Sequence, residues 1–320
     1  MKLIDMHCDT IGKIMDLDKK GNLKENLCSV YLEDMKKANS MAQFFACFTY
    51  LGDYVDNGGY EKCYEHALSM IQFLKTQVKE YENDIAIARS FDEIRKNDAE
   101  GKVSAVITIE EGGILNGQRE RLDRLYGEGV RLMTLMWNYE NCLGYPNSKD
   151  VSVMQKGLKS FGIDTVERMG ELGMIVDVSH ASDGSFWDVI KHAKGPVAAS
   201  HSNCRALCNH PRNLSDDMIH ALAEKGGVSG LNLYGVFLGT QNESRIEEMG
   251  AHLLHMINTG GSDFPAIGTD FDGFRGMDVM EIKKLSEMER LWDFLKKKGV
   301  SERQLEKIWS QNVLRLFKEF

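Results

Sequence analysis

The chain has 320 residues, of which 42% are hydrophobic and 27% are charged, as is usual for a globular protein. Its formal net charge of −9 at pH 7 argues against a surface that binds nucleic acid or an anionic membrane. No apolar run in the sequence approaches the roughly 18 residues that indicate a membrane span.

Short apolar runs alternate along the chain with longer amphipathic stretches. The runs predict eight strands, at residues 2–6, 42–49, 103–109, 131–135, 174–179, 196–200, 227–233 and 265–268. Helical patterns lie between them, among them residues 59–83 and 162–173. A strand followed by a helix, eight times over, predicts an α/β fold of the (β/α)8 TIM-type barrel class. A doubly wound open sheet would have the same local pattern.

Two segments add detail to this pattern. Residues 53–101 combine a long helical pattern with a short strand-like run, "IAIAR", and predict a helical excursion after the second strand. Residues 301–320 predict a helix capped by Ser301, because Glu and Gln follow it in the first turn. No low-complexity linker divides the chain, so residues 1–320 are expected to form a single barrel domain.

Ionisable side chains recur where the predicted strands end. In a (β/α)8 barrel these ends meet at one mouth, which is where barrel enzymes carry their active sites. The residues at such positions are His7, Asp9, Glu110, His180, His201 and Asp270, and they include three of the nine histidines in the chain. Imidazole and carboxylate together suit Zn²⁺ or another divalent ion, and a carboxylate can bridge two ions. The set predicts a metal centre at the barrel mouth.

Each of these residues has a structural alternative when it is taken alone. A histidine at a strand end is often a hydrogen-bonded structural residue. Glu110 would also suit the first turn of a helix, and Asp270 would suit a turn in "TDFDG". Cys8 points away from its two neighbours on an extended strand, so we expect a buried residue and not a ligand. We favour a metal centre because six unrelated structural residues would not all be placed at the same barrel mouth by chance.

The cysteine content and the start of the chain indicate a compartment. Seven is an odd number, no CxxC pair is present, and the apolar start "MKLIDM" is shorter than the apolar region of a signal peptide. Reduced thiols are the simpler interpretation, because disulfides are rare in the cytosol. These observations predict a cytoplasmic protein.

Five segments near the predicted strand ends form a specific combination: "DMHCDT", "TIEEGG", "VDVSH", "SHSNCRALCNHPRN" and "GTDFDG". Together they resemble the membrane (renal) dipeptidase family of zinc peptidases, part of the amidohydrolase superfamily. A His-x-Asp pair alone is shared by many metallohydrolases, whereas SHS with the downstream RN and GxDFDG is specific. The resemblance runs in order to about residue 275, with a weaker match at "QNVLRLF".

The resemblance implies two zinc ions, or other divalent ions, at the barrel mouth. His7 and Asp9 would bind one ion, His180 and His201 would bind the other, and Glu110 would bridge them. Glu111 competes with Glu110 for the bridging position. We favour Glu110 because it directly follows the predicted strand, where a side chain reaches the mouth.

The same resemblance assigns residues to the substrate. Arg212 of "HPRN" would hold the substrate carboxylate, for which a guanidinium offers bidentate donors. Asp270 would transfer protons, with Asp272 as its companion. One departure concerns the fourth strand, after which better-known members carry a histidine and this chain has Trp137. Trp137, Asn138 and Tyr139 would line the pocket instead, or Trp137 is an aromatic residue that packs at the start of a loop.

The activity implied is hydrolysis of dipeptides, including some with a C-terminal D-residue, by a water shared between the two ions. A small peptide would be the partner, without nucleic acid or membrane, and homodimers are common in the family. Two alternatives remain: another binuclear amidohydrolase, such as a lactone or cyclic amide hydrolase, and a catalytically silent metal- or peptide-binding barrel. The absence of a bridging lysine at the strand ends disfavours the first, and the complete ligand set disfavours the second.

Overall fold

Eight parallel strands close into a barrel in the computed structural model, which describes residues 1–16, 21–239 and 241–318. The strands are β1 (Leu3–Cys8), β2 (Ser40–Phe48), β3 (Val103–Glu110), β4 (Val130–Thr134), β5 (Ile175–Asp177), β6 (Val197–Ala199), β7 (Val228–Leu231) and β8 (Pro265–Ile267). Each pairs with its neighbours in chain order, and β8 pairs with β1. The predicted (β/α)8 barrel is confirmed, and the alternative of an open sheet is wrong.

Helices follow the strands around the barrel. They are α1 (Thr10–Asp16), α2 (Leu32–Lys37), α3 (Tyr60–Glu80), α4 (Phe91–Ala99), α5 (Arg119–Gly127), α6 (Val151–Met154), α7 (Ser160–Leu172), α8 (Asp183–His192), α9 (Asp216–Glu224), α10 (Gly235–Leu238), α11 (Ile246–Gly260), α12 (Glu289–Lys297), α13 (Glu302–Glu306) and α14 (Asn312–Lys318). Short 3-10 helices occupy Leu51–Asp53, Gly112–Leu115 and Leu285–Met288. A separate two-stranded sheet joins Glu243–Ser244 and Val279–Met280. In the described part of the chain, no helix has both the length and the apolar character that a bilayer crossing requires.

The excursion after β2 has the predicted composition. It contains α3, the short strand Ile85–Ile87 and α4, and the short strand pairs with the first residues of β3. The main differences from the predicted elements lie at their ends. The strands predicted at 174–179 and 227–233 end earlier, at Asp177 and Leu231. The chain leaves the sheet there, so the polar residues that follow sit in loops.

The C-terminal segment 301–320 differs from its prediction as one helix. It forms α13, a π-helical turn at Lys307–Gln311 and α14, while residues 319–320 lie outside the described residues. The predicted cap is present, because Ser301 and Gln304 exchange side-chain to backbone hydrogen bonds. The wider turn changes the phase of the helix. Residues before it pack among the outer helices, and residues after it face the end of the barrel.

α14 closes the amino-terminal end of the barrel. Asn312 Nδ2 donates to the carbonyl oxygens of Ser262 and Pro265, at the start of β8. Every strand contributes at least one side chain to the apolar cluster beneath, which includes Ile4, Phe44, Val106, Leu132, Ile175, Ala198, Val228 and Ala266 with Val313, Leu314 and Phe317 of α14. This filled interior leaves the carboxyl ends of the strands as the place for polar side chains.

Candidate metal centre

A break in the alternation of β1 turns His7 toward the barrel mouth. Met6 packs inside the barrel and Cys8 packs among the outer helices, although an unbroken strand would place residues i and i+2 on one face. The pairing of β1 with β2 is irregular at the same place, between Asp5 and Cys8. Cys8 is buried, and its thiol donates to the Phe44 carbonyl, so it has the non-ligand position expected from the sequence.

Most of the other predicted residues follow their strands rather than ending them. His180 comes after β5, which ends at Asp177, and Asp270 comes after β8, which ends at Ile267. Both have a positive φ, 67° for His180 and 60° for Asp270. Few non-glycine residues adopt this conformation, and it persists where the surroundings hold it, commonly at functional sites.

Glu110, the last residue of β3, lies at the centre of the cluster. Its Oε1 is 3.2 Å from His180 Nε2 and 3.5 Å from His201 Nε2. Its Oε2 is 3.3 Å from His7 Nε2, which in turn is 3.4 Å from Asp9 Oδ2. The two oxygens of one carboxylate therefore face two different groups of ligand atoms.

Three groups of described side chains bring such atoms within 4.8 Å of one another, the spacing that a metal ion could share. They are His7 with Asp9 and Glu110, Glu110 with His180 and His201, and His7 with His201 and Asp270. The first two groups share Glu110. The structure thus brings together His7, Asp9, Glu110, His180 and His201, the five residues to which the family resemblance assigns two ions with Glu110 between them.

Unpaired buried atoms show that the cluster suits cations. Neither ring nitrogen of His7 makes a well-aligned hydrogen bond, although Nε2 lies 3.3 Å from Glu110 Oε2. Asp9 Oδ1 has no partner either, and all three atoms are buried. An unpaired buried polar atom costs about 1–3 kcal/mol, which a bound ion would offset. His180 Nε2 and His201 Nε2 also lie only 3.2 Å apart, next to the Glu110 carboxylate. Imidazoles and carboxylates are the donors that divalent zinc takes, so these residues fit the metal.

Burial and crowding shift the pKa values of the cluster in both directions. Burial opposes a charge on His7, but the carboxylates of Glu110 and Asp9 raise its pKa well above the usual value. Burial also opposes ionisation of Glu110, yet the charge of His7 and the close approach of the His180 and His201 side chains lower its pKa well below the usual range. Burial lowers the pKa of His180 to about 4. A divalent cation would supply the positive charge that these carboxylates favour.

Asp270 lies at the edge of the cluster. Its Oδ2 accepts a hydrogen bond from Asn232 Nδ2 at 2.9 Å, and its Oδ1 is 3.9 Å from His7 Nε2. Burial raises the pKa of Asp270 to about 7, against the opposing charge of His7. A carboxyl group with a pKa near neutrality can both accept and release a proton. Asn232 directly follows β7 but is not ionisable, so it is absent from the residues predicted at the strand ends.

Glu111 has a different position from its neighbour Glu110. Its carboxylate accepts hydrogen bonds from the backbone of Trp137 at 3.0 Å and from Asn141 Nδ2 at 2.6 Å. Burial raises its pKa to about 7. Glu111 belongs to none of the three metal-capable groups in the described part of the chain. It ties together the loops after β3 and β4, which agrees with the preference for Glu110.

The loop after β8 approaches the cluster closely. Asp272 accepts hydrogen bonds from the Thr10 hydroxyl at 2.6 Å and from the Ser29 backbone at 2.9 Å, which tie this loop to the segment after β1. At Gly273, an added Cβ would lie 2.4 Å from Asp270 Oδ1 and 2.4 Å from Asp9 Oδ2. A side chain at position 273 would therefore displace two carboxylates of the cluster.

Gly273→Ala is accordingly expected to lower the affinity of the protein for zinc by about 10–100-fold, the size of effect seen when ligand orientation is disturbed. The measurement is zinc binding by the metal-free protein in competition with a chelating dye. Gly127→Ala is the matched control, because a Cβ there meets no other atom within 4 Å. Equal affinity in both variants would contradict the close approach at Gly273.

A cavity of about 470 Å³ opens onto the cluster. Asp9, Glu110, His180 and Asp270 line it together with two groups of aromatic residues, Phe48 with Tyr50 and Trp137, and Tyr234 with Phe237 and Phe274. The sequence prediction did not include these aromatic residues other than Trp137. Phe48 was detectable, because it is the last residue of β2 and therefore stands at the mouth. The cavity therefore combines aromatic surfaces with charged side chains, including those of the metal-binding cluster.

Trp137 and Asn138 both line this cavity, as the resemblance implies. Tyr139 instead packs on Tyr50 and Trp137, with ring centroids 6.0 and 5.7 Å away. Asn138 Oδ1 is 3.0 Å from His180 Nδ1. Asn138 therefore also orients this imidazole, with Nε2 directed at Glu110.

Arg212 is buried beside the cluster. Its Nη1 donates to Ser202 Oγ at 3.1 Å and its Nη2 donates to the His201 carbonyl at 3.2 Å, while its Nε is buried without a partner. No carboxylate of the described residues lies within ion-pair distance of it. Burial lowers the pKa of Arg212 to about 10, so it remains a cation at neutral pH. A buried cation without a direct ion-pair partner favours binding of an anion nearby.

Comparison with known proteins identifies relatives along the whole chain. The family model described as membrane dipeptidase (peptidase family M19) matches residues 1–320. A Klebsiella pneumoniae protein, described as an uncharacterized protein in the pqqA 5' region, is 35% identical over 230 residues, which are 68% of this chain and 83% of that protein. Dipeptidase verJ of Clonostachys rogersoniana is 30% identical over 266 residues, 82% of this chain and 67% of that protein. A solved metallopeptidase of Rhodobacter sphaeroides, liganded with a phosphinate mimic of L-Ala-D-Ala, shares the fold with a TM-score of 0.89 at 22% identity, covering 99% of both chains.

Proposed function

Because this chain belongs to the membrane dipeptidase family of metallopeptidases, we propose that it hydrolyses dipeptides with two zinc ions bound at the barrel mouth. The observation that carries the proposal is the position of Glu110. One of its oxygens faces His180 and His201, and the other faces His7. A carboxylate in this position would be shared by two neighbouring ions.

Each group of residues would have a distinct task in this reaction. The two ions would acidify a water and polarise the scissile carbonyl. Asp270 would take the proton from the attacking water and pass it to the leaving amine. Its Oδ1 is the atom for this task, because Oδ2 is engaged by Asn232 and Oδ1 faces the cluster.

The ends and side chains of the substrate would contact different parts of the site. Arg212 would hold the C-terminal carboxylate, which must then lie one residue from the cleaved bond and restricts the substrate to dipeptides. The aromatic residues, Trp137 among them, would accommodate apolar side chains. The Rhodobacter sphaeroides enzyme with its L-Ala-D-Ala mimic supports extending the proposal to dipeptides with a C-terminal D-residue.

The test is an activity screen of the purified, zinc-loaded protein. We expect cleavage of several L,L- and L,D-dipeptides, loss of cleavage after removal of metal by a chelator, and recovery on addition of zinc. Lactones and cyclic amides in the same screen examine the alternative amidohydrolase activities. Cleavage of those compounds alone, or of no dipeptide in a broad panel, would contradict the proposal.

Arg212→Lys is expected to raise KM for dipeptides by about 10–100-fold, because a charged hydrogen-bond pair contributes about 1.5–3 kcal/mol and lysine loses the bidentate geometry. The variant keeps the positive charge at a buried position. Zinc content and kcat should change much less than KM. Dipeptide amides provide the control, since they lack the carboxylate and should bind both proteins equally weakly. An unchanged KM for free dipeptides would remove Arg212 from substrate binding.

A further inference from the structure

A buried chain of hydrogen bonds connects the metal-binding cluster to the interior of the barrel. His201 Nδ1 is 2.7 Å from Ser200 Oγ, which is 2.6 Å from Asp177 Oδ2. Asp177 is the last residue of β5, and Ser200 directly follows β6. All three residues are fully buried, so no solvent competes for these bonds.

The protons in this series of hydrogen bonds have one favourable arrangement. A carboxylate only accepts hydrogen bonds, so the Ser200 hydroxyl donates to Asp177. The Ser200 hydroxyl also lies near Ser179 Oγ, but that distance of 3.4 Å is longer than the 2.6 Å to Asp177. The lone pairs of Ser200 Oγ then accept the proton on His201 Nδ1. His201 Nε2 is left without a proton in the neutral ring, and it lies 3.5 Å from Glu110 Oε1.

Asp177 is itself held by four hydrogen bonds. Its Oδ1 accepts from the backbone of Ser179 at 2.9 Å and of Ser200 at 2.8 Å. Its Oδ2 accepts from the hydroxyls of Thr134 and Ser200, both at 2.6 Å. These donors come from the ends of β4, β5 and β6, so the carboxylate cannot rotate to follow a misplaced imidazole.

We propose that Ser200, anchored by Asp177, is a positioning residue that keeps the proton of His201 on Nδ1 and its Nε2 free for a metal ion. The inference rests on the proposed function, because it concerns a ligand of the proposed ions. General experience with zinc sites indicates that such outer partners contribute about 10–100-fold to metal affinity. Ser200 and its anchor would therefore set how tightly one of the two ions binds.

Thr134 offers a matched control for Ser200. Each hydroxyl donates to Asp177 Oδ2 at 2.6 Å, but only that of Ser200 also contacts His201. Ser200→Ala and Thr134→Val thus remove equivalent buried donors from one carboxylate oxygen. Both should lower the melting temperature of the metal-free protein. Only Ser200→Ala should weaken zinc binding, by about 10–100-fold at one of two sites.

Asp177→Asn provides a second variant, which reverses the direction in which the hydrogen bonds from Asp177 to His201 are donated. Its amide would keep an oxygen for the backbone donors of Ser179 and Ser200 and would direct its NH₂ group at the Ser200 hydroxyl. That hydroxyl would then donate to His201 Nδ1, which moves the imidazole proton to Nε2. Nitrogen-15 NMR of labelled histidine in the metal-free protein distinguishes the two tautomers directly. We expect the proton on Nδ1 in the wild type and on Nε2 in Asp177→Asn, together with weaker zinc binding.

The outcomes separate this inference from the proposed function. If the wild type binds no zinc in competition with a chelating dye, the proposed function fails. If it binds two ions, and Ser200→Ala binds them as tightly as Thr134→Val does, the inference is overturned. A proton on His201 Nε2 in the wild type would also overturn it. This NMR readout remains available if Ser200→Ala does not fold.

Discussion

Asp270→Asn is expected to lower kcat for dipeptide hydrolysis by about 10²–10⁴-fold, the contribution typical of a general acid–base residue. The asparagine oxygen would accept the hydrogen bond that Asn232 now donates to Oδ2. The amide nitrogen would then face the cluster in place of Oδ1, where it cannot accept a proton. Zinc content should remain at two ions, since the two groups around Glu110 do not include Asp270. Stopped-flow or steady-state kinetics and elemental analysis measure the two quantities.

Asp272→Asn is the control for this change. Asp272 lies in the same loop and also lines the cavity, but its carboxylate holds Thr10 and Ser29. We expect a lower melting temperature and a kcat within a few-fold of the wild type. Retained turnover in Asp270→Asn would remove Asp270 from proton transfer. An equal loss in both variants would instead indicate that the loop as a whole is disturbed.

Glu110→Gln is expected to weaken the binding of both ions, and turnover should fall with it. Each oxygen of the carboxylate faces one group of ligand atoms, so an amide would direct an NH₂ group at one of them. It would also remove the negative charge that, under the proposed function, two bound ions would share. The loss of affinity should exceed the roughly 10–100-fold contributed by outer partners of metal ligands. Elemental analysis, with circular dichroism to verify folding, provides the measurement.

The adjacent residue makes a matched comparison. Glu111→Gln changes a glutamate that is equally buried but bound to the loop that holds Trp137 and Asn141. This variant should be less stable to heat and should still bind two ions. If Glu111→Gln lost its metal and Glu110→Gln kept it, the bridging role would belong to Glu111.

The strands and helices of this barrel were predictable because they depend on local patterns. Short β-branched runs between amphipathic segments placed all eight strands to within a few residues, and Ser301 with Gln304 marked the start of α13. The helix over 301–320 was only partly correct, because its π-helical turn depends on which cluster each half packs against. That packing is not visible in a periodic pattern.

The candidate site was predictable in its membership and less so in its geometry. His7, Glu110, His201 and their partners stand at strand ends, and a barrel brings all such ends to one mouth. Strict alternation along β1, however, would place His7 on the same face as Leu3, whereas the irregularity beside Asp5 turns it inward. Asn232 was not among the predicted site residues because the prediction rested on ionisable side chains and an amide is not ionisable.

The eightfold strand and helix pattern, the barrel class and the set of residues that resembles the metallopeptidase family are all readable from the sequence alone. These features are encoded by neighbours in the chain, through side-chain periodicity and short motifs. Two features emerge only in the folded barrel: Glu110 divides its two oxygens between His7 and His180, and Ser200 connects His201 to Asp177. Those contacts join residues far apart in the chain, and their strength depends on burial, which arises only when the barrel closes.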